Sequence, residues 1–220
     1  MSRRLFTLLV LSLGMLLAVS VVVLAGGWAT VTLTDFPEYT VAGTPLNLTF
    51  TVRQHGQTLL TGLRPGIRAT TPGGLTAKSD AKPTSERGEY TAAITLPQPG
   101  DWTITIASGF NDSALVLPTL KVISPSSAKP ERFSPLTRGV RLFSSKGCVG
   151  CHRHIEVNPA KTVDAKFDLT GKRFPQDYLK RFLADPGIKP ADMPNLKLKN
   201  DEIDALAAFI NKLASKTIEK

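Results

Sequence analysis

A chain of 220 residues, 42% of them apolar and 20% charged, has room for one large domain or two small ones and falls in the ordinary globular range. That composition excludes collagen, low-complexity disorder and a disulfide-dense miniprotein. The net charge of +9 suits an anionic partner, whether nucleic acid, anionic lipid or the acidic face of another protein, without choosing among them.

The chain opens with Arg3 and Arg4, followed by an uncharged run over residues 5–25. As a helix rising about 1.5 Å per residue, such a run reaches about 31 Å, the thickness of a bilayer core. A cleaved secretory signal, cut near Val23-Leu24-Ala25, is the alternative. The apolar region of such a signal is normally about 7 to 15 residues, so the run reads better as a retained anchor. Either reading exports the remainder of the chain. With two arginines in front and no matching cluster behind, the N-terminus is expected in the cytoplasm. Residues 1–27 are thus read as a single-pass transmembrane helix in contact with lipid, and the rest as lying on the periplasmic or extracytoplasmic side of the cell membrane.

From residue 28 to residue 124 apolar side chains recur at every second position. Leu46, Phe50 and Val52 alternate with Asn47, Thr49, Thr51 and Arg53, and Trp102, Ile104 and Ile106 alternate with Thr103 and Thr105. This is the period of half-buried antiparallel strands. Further strands are expected over 30–35, 67–70, 90–96, 114–117 and 120–123, with turns at His55-Gly56, Pro72-Gly73-Gly74 and Gln98-Pro99-Gly100-Asp101. Six or seven short strands predict an all-β, immunoglobulin-like sandwich.

Residues 125–133, rich in serine and proline, read as a linker long enough for a sweep of up to about 30 Å. Over 134–220 the period becomes helical. Ser134-Pro135 predicts a helix start with an end near Lys146; Tyr178, Leu179, Phe182 and Leu183 mark a second helix that stops before Asp185-Pro186. Asn200 is the expected cap of a third, with Ile203, Leu206, Ala207, Ile210, Leu213 and Ala214 as its apolar face. Residues 28–124 carry seven basic and seven acidic side chains, whereas 134–220 carry 16 basic and ten acidic, so the positive excess belongs to the helical domain. No motif for nucleic acid accompanies it, so no nucleic-acid partner is expected. A lysine-rich docking face for an acidic redox protein fits better.

The only two cysteines stand in Cys148-Val149-Gly150-Cys151-His152. Two thiols three residues apart can reach the two vinyl groups on one haem edge while the following imidazole ligates the iron. A zinc site would need a fourth ligand beyond Cys148, Cys151 and His154, in a chain with no other thiol. A thioredoxin-like pair would need a βαβ context, and a disulfide closing so short a loop would add little stability. For the second axial position the inventory is short. His55 lies in the other domain, His154 is too close to His152 to reach the opposite face, and Met1 and Met15 lie in the apolar N-terminal segment. Met193, in the proline-flanked loop Pro190-Ala191-Asp192-Met193-Pro194, is left.

Over its whole length the helical domain resembles the class I c-type cytochromes. The resemblance rests on Gly139 and Phe143, the Cys-x-x-Cys-His run, the Tyr178-Leu179 segment ending at Asp185-Pro186, Met193-Pro194, and residues 202–210. It implies one covalent haem c with iron between His152 and Met193, and first and last helices that cross at Gly139, with Phe143 and Phe209 packed there. One position departs from the pattern. Family members commonly carry a proline before the Leu-Thr of the middle loop, whose carbonyl accepts the proximal histidine's N–H, whereas here Phe167 and Asp168 precede Leu169-Thr170. The β domain is similar to the YtkA-like or FixH-like family through Gly43-Thr44-Pro45-Leu46, residues 58–62, Gly88-Glu89-Tyr90 and Gly100-Asp101-Trp102. It has no methionine and one histidine, so copper is not expected there.

With both axial positions filled, the iron would carry electrons rather than bind oxygen or substrate. The expectation is a membrane-anchored electron carrier, not an enzyme, that passes single electrons between respiratory or photosynthetic complexes, from a quinol-oxidising complex to a terminal oxidase or another soluble carrier. The alternatives are an accessory subunit whose haem is a fixed relay, and a haem-based sensor with an open iron.

Overall fold

The computed structural model describes residues 27–164, 166–189 and 193–212. The expected membrane segment, residues 190–192 of the methionine loop, and Leu213 and Ala214 lie outside them. Among the described residues no helix is long and apolar enough to cross a membrane.

Among the described residues eleven strands form two sheets that share one core. The first sheet joins β1 (Ala29–Leu33), β3 (Pro45–Gln54), β8 (Glu89–Thr95) and β7 (Lys82–Pro83), with the short β4 (Thr58–Leu59) paired to β3. The second runs β2 (Tyr39–Val41), β11 (Leu120–Ile123), β9 (Gly100–Ala107), β5 (Gly66–Thr70), β6 (Thr76–Asp80), with β10 (Ala114–Val116) against β9. All pairs are antiparallel except β2 with β11. Alternation places Leu46, Leu48, Phe50 and Val52 of β3 and Trp102, Ile104 and Ile106 of β9 in the core. Four strands were not anticipated. β2, β4 and β7 are two or three residues long, and β6 is a polar edge strand with no buried residue, so neither length nor pattern announces them.

The helical domain has α1 (Pro135–Ser145), α2 (Gln176–Ala184) and α3 (Asn200–Ile210). Ser134 caps α1, its hydroxyl accepting the Thr137 N–H at 3.2 Å. The expected cap Asn200 is instead the first helical residue. Lys199 is the cap, and its N–H donates to the Glu202 carboxylate at 3.0 Å. α1 and α3 cross where Gly139 lies: a β-carbon there would collide with the Ala205 carbonyl and come within 2.7 Å of Phe209 Cβ. One turn on, Phe143 and Phe209 meet edge-on with ring centres 5.5 Å apart.

The domain expected to swing on its linker is docked. β1 is buried on both faces: Val31 and Leu33 enter the sandwich core, while the outward Thr30 and Thr32 are covered by the turn that follows α1. Gly147, at φ +77°, lies on the Val31 carbonyl, and a β-carbon on Gly150 would lie 2.6 Å from Thr30 Cγ2. Val149 packs against both cores. Arg141 donates to the carbonyls of Thr119 and Pro37 and stacks between Phe36 and Phe133. Lys146 is the clasp. Its ammonium donates to the Thr34 carbonyl at 2.6 Å and pairs with Glu202 at 2.8 Å, both side chains being almost fully buried.

Removing one member of such a pair strands the other in a desolvated site. Lys146→Met should therefore lower the unfolding free energy by about 3 kcal/mol. Adding Glu202→Gln should recover at least half of that loss in the same chemical-denaturation measurement.

Candidate functional site

α1 delivers the chain into a left-handed turn at Gly147, and Cys148–Gly150 then forms a single turn of 3-10 helix. The turn places Cys148, Cys151 and His152 together at the domain joint. The two cysteines are free and half-buried. Burial pushes the Cys148 thiol up to about 12 and raises that of Cys151 as well, so both are protonated at neutral pH.

His152 is oriented by the Phe167 carbonyl, 3.2 Å from Nδ1. A carbonyl only accepts, so Nδ1 carries the proton and Nε2 presents a lone pair, the arrangement a metal-ligating imidazole needs. Burial lowers the His152 pKa against the opposing effect of that hydrogen bond, which keeps the ring neutral. The same carbonyl accepts the Arg153 N–H at 3.1 Å, and the Leu169 N–H returns to the Arg153 carbonyl at 2.9 Å. Asp168 secures this bridge by accepting from the Thr170 N–H and from Arg153. The carbonyl left open by the missing proline is thus that of Phe167.

Met193 is half-buried and packs against the helical core, as does Cys148. Leu136, Val140, Val157, Leu169, Phe174 and Leu198 also border that core while remaining only partly covered. An incompletely closed apolar wall beside two thiols and an imidazole lone pair fits a large, flat, apolar cofactor with a metal at its centre. His154 has a different task. It is buried against Phe209, ring centres 4.3 Å apart, and its Nδ1 accepts the Glu156 N–H. Among the described residues no cluster of three or more His, Cys, Asp or Glu side chains is placed to hold a metal ion.

The β domain supplies neighbours that residue spacing did not reveal. A β-carbon on Gly56 would lie 3.5 Å from Cys151 Sγ, and the Trp28 ring lies against both Gly56 and Gly150. Arg53, opposite Thr30 in the β1–β3 ladder, points from the same face, and its Nη1 has no partner. The one sequence signal for this contact was the pair of glycines, Gly147 and Gly150, flanking Cys148-Val149.

A three-helix unit with a Cys-x-x-Cys-His turn, an oriented histidine and partly covered apolar side chains has the features a haem-binding domain needs. Residues 136–214 match the family model described as "Cytochrome c". That match supports a c-type cytochrome domain in the C-terminal unit, a kind of domain that binds haem c covalently with its iron, and with it a haem-based electron-transfer protein. No curated protein matches the chain. Among solved structures it is similar to the Lin-41 filamin domain, at 15% identity over 45% of this chain and 98% of that one, with a TM-score of 0.38. Domains 4 and 5 of the S-layer protein SbsC give 16% identity over 45% and 54%, with a TM-score of 0.32. Domain 1 of VCBP3 from Branchiostoma floridae gives 11% over 47% and 100%, with a TM-score of 0.27. Likenesses this slight carry no weight for function.

Hydrogen bonds from the Thr170 hydroxyl and N–H, with Arg153 beside them, hold the Asp168 carboxyl at about 2, against about 4 for an unperturbed carboxylate. A depressed native pKa gives stability that is present above the unfolded value and lost as pH falls through the native one. Acid unfolding followed by circular dichroism should therefore steepen between about pH 4 and 2. In Asp168→Asn that contribution should be absent and stability at pH 7 lower.

Proposed function

We propose that this chain is a membrane-anchored mono-haem c-type cytochrome on the periplasmic or extracytoplasmic side, tethered by residues 5–25. In this reading Cys148 and Cys151 form the two thioethers, His152 Nε2 is one axial ligand and the Met193 thioether is the other. Domain limits follow the sequence: anchor to residue 27, β domain to 124, connector to 133, cytochrome domain thereafter. The β domain takes its likeness to the YtkA-like or FixH-like family as part of the same reading. The observation that carries the proposal is the Phe167 carbonyl on His152 Nδ1, which leaves the other ring nitrogen free for iron in a Cys-x-x-Cys-His turn.

The haem supplies a one-electron couple. The residues of the chain set its conditions. Met193 and His152 would fill both axial positions and so bar exogenous ligands, and a soft sulfur ligand raises the potential. The partly covered apolar side chains from Leu136 to Leu198 offer apolar surface for a haem to cover. Single electrons then pass between a quinol-oxidising complex and a terminal oxidase, and lysines of the helical domain meet an acidic face on the partner.

Docking of the two domains through Lys146 and Arg141 favours a fixed relay within a larger respiratory assembly over a swinging carrier. Retention of the partner in detergent at high salt would support the relay, because an encounter held by exposed lysines dissociates there.

Met193→Ala should abolish the sulfur-to-iron absorption band, let the reduced protein bind carbon monoxide, and lower the reduction potential. A variant with the parental spectrum would remove Met193 as ligand.

A further inference from the structure

The point at which the N-terminal segment joins the sandwich is fixed, and it adjoins the haem-attachment turn. Asn111 Nδ2 donates to the Gly27 carbonyl at 2.8 Å, the Ala29 N–H donates to Ser113 Oγ at 2.8 Å, and the His55 N–H donates to the Trp28 carbonyl at 3.0 Å. Three consecutive residues are therefore pinned to one edge. Trp28 and His55 stand side by side there, ring centres 5.9 Å apart. The Trp28 ring comes within 3.8 Å of a β-carbon position on Gly150 and 4.0 Å of one on Gly56, and Gly56 in turn borders Cys151 Sγ. Trp28 nonetheless keeps 41% of its surface open.

The stretch read as the membrane segment ends at Ala25, three residues before Trp28. Three residues of extended chain span at most about 11 Å. An indole so close to the end of a membrane segment sits at the depth where tryptophan is enriched, among the headgroups. We infer that the edge formed by Trp28, His55, Gly56 and the Cys151 turn lies on the lipid headgroup surface, so the Cys151 side of the haem is held at the level of the membrane. This inference rests on the anchored reading above and adds an orientation to it. The entry is pinned by three hydrogen bonds, and Lys146 clasps the cytochrome domain to Thr34, the residue that follows β1. Partners would then be those whose redox centre is also held at the bilayer surface, not carriers that diffuse through the bulk.

The test uses the full holoprotein in vesicles of phosphatidylcholine and phosphatidylglycerol. His55 is exposed, whereas His154 is buried and His152 half-buried, so diethyl pyrocarbonate modification read by peptide mass spectrometry reports on this edge. Leu75 follows the turn at the opposite end of β5, about 16 Å along that strand, and Leu75→His provides the distant reference. A second variant carries a flexible Gly/Ser insert of about 20 residues after Ala25, which keeps the anchor and releases the geometry. His55 should react several-fold more slowly in the native chain than in the spacer variant, with the histidine at position 75 equally reactive in both. Equal reactivity of His55 in the two chains, with both retained after a carbonate wash, would overturn the orientation and leave the edge open to a soluble partner. Release of the native chain by carbonate would overturn the anchor itself, and the orientation with it.

Discussion

The contact on which the rest of this molecule depends is backbone against backbone: the turn that opens the Cys-x-x-Cys-His run lies flat on strand β1. Gly147 and Gly150 make it possible. A β-carbon at Gly147 would strike the Val31 carbonyl, and one at Gly150 would press into the Thr30 methyl. Gly147 also adopts a positive φ that other residues take at a cost. With both side chains missing, β1 is sandwiched between two hydrophobic cores, and Val149 belongs to each. The cytochrome domain is thereby given a fixed orientation, and the attachment turn acquires a wall from another domain.

That arrangement changes what the basic charge of the helical domain means. Three of its cations are turned toward the β domain: Lys146 to the Thr34 carbonyl, Arg141 to the Thr119 and Pro37 carbonyls, and Lys199 to Asp35. Part of the positive excess therefore serves the joint within the chain, and only the remainder is available to a partner. The two kinds of contact differ in strength. Lys146 and Glu202 are desolvated, so their attraction is little screened, whereas the Lys199–Asp35 pair is exposed and contributes little. Salt should weaken the encounter with a partner long before it opens the joint.

Much of this was legible in the sequence, for identifiable reasons. Strands β3, β8 and β9 bury one face, so their period of two is clean. Gly139, Phe143 and Phe209 could be placed at the helix crossing because the resemblance of the whole helical domain supplied the partner helix. Double burial of β1 was not legible, because Thr30 and Thr32 read as solvent-facing partners of Val31 and Leu33. Docking was not legible either: the serine and proline content of residues 125–133 describes how the connector itself packs and says nothing about the faces on either side of it. Lys146 looked like one more surface lysine at a helix end, and only its proximity to Glu202 and Thr34 in space distinguishes it. Trp28 and His55 lie more than ninety residues from the cysteines they adjoin, a separation no local pattern can bridge.

The loop that orients His152 shows how a departure from a family pattern can be offset by different chemistry. A proline before Leu-Thr fixes its own φ and removes a donor, so the backbone that carries its carbonyl is restrained covalently. Asp168 stands there instead and holds the neighbouring Phe167 carbonyl by hydrogen bonds. Its carboxylate accepts the Thr170 N–H and pairs with Arg153, while Arg153 exchanges backbone hydrogen bonds with Phe167 and Leu169 on either side. The carbonyl ends up aimed at the imidazole by either route. A covalent restriction is indifferent to protons, whereas a carboxylate clamp depends on its charge. In this chain a charged carboxylate stands beside the carbonyl that orients the histidine, where a proline ring would carry no charge.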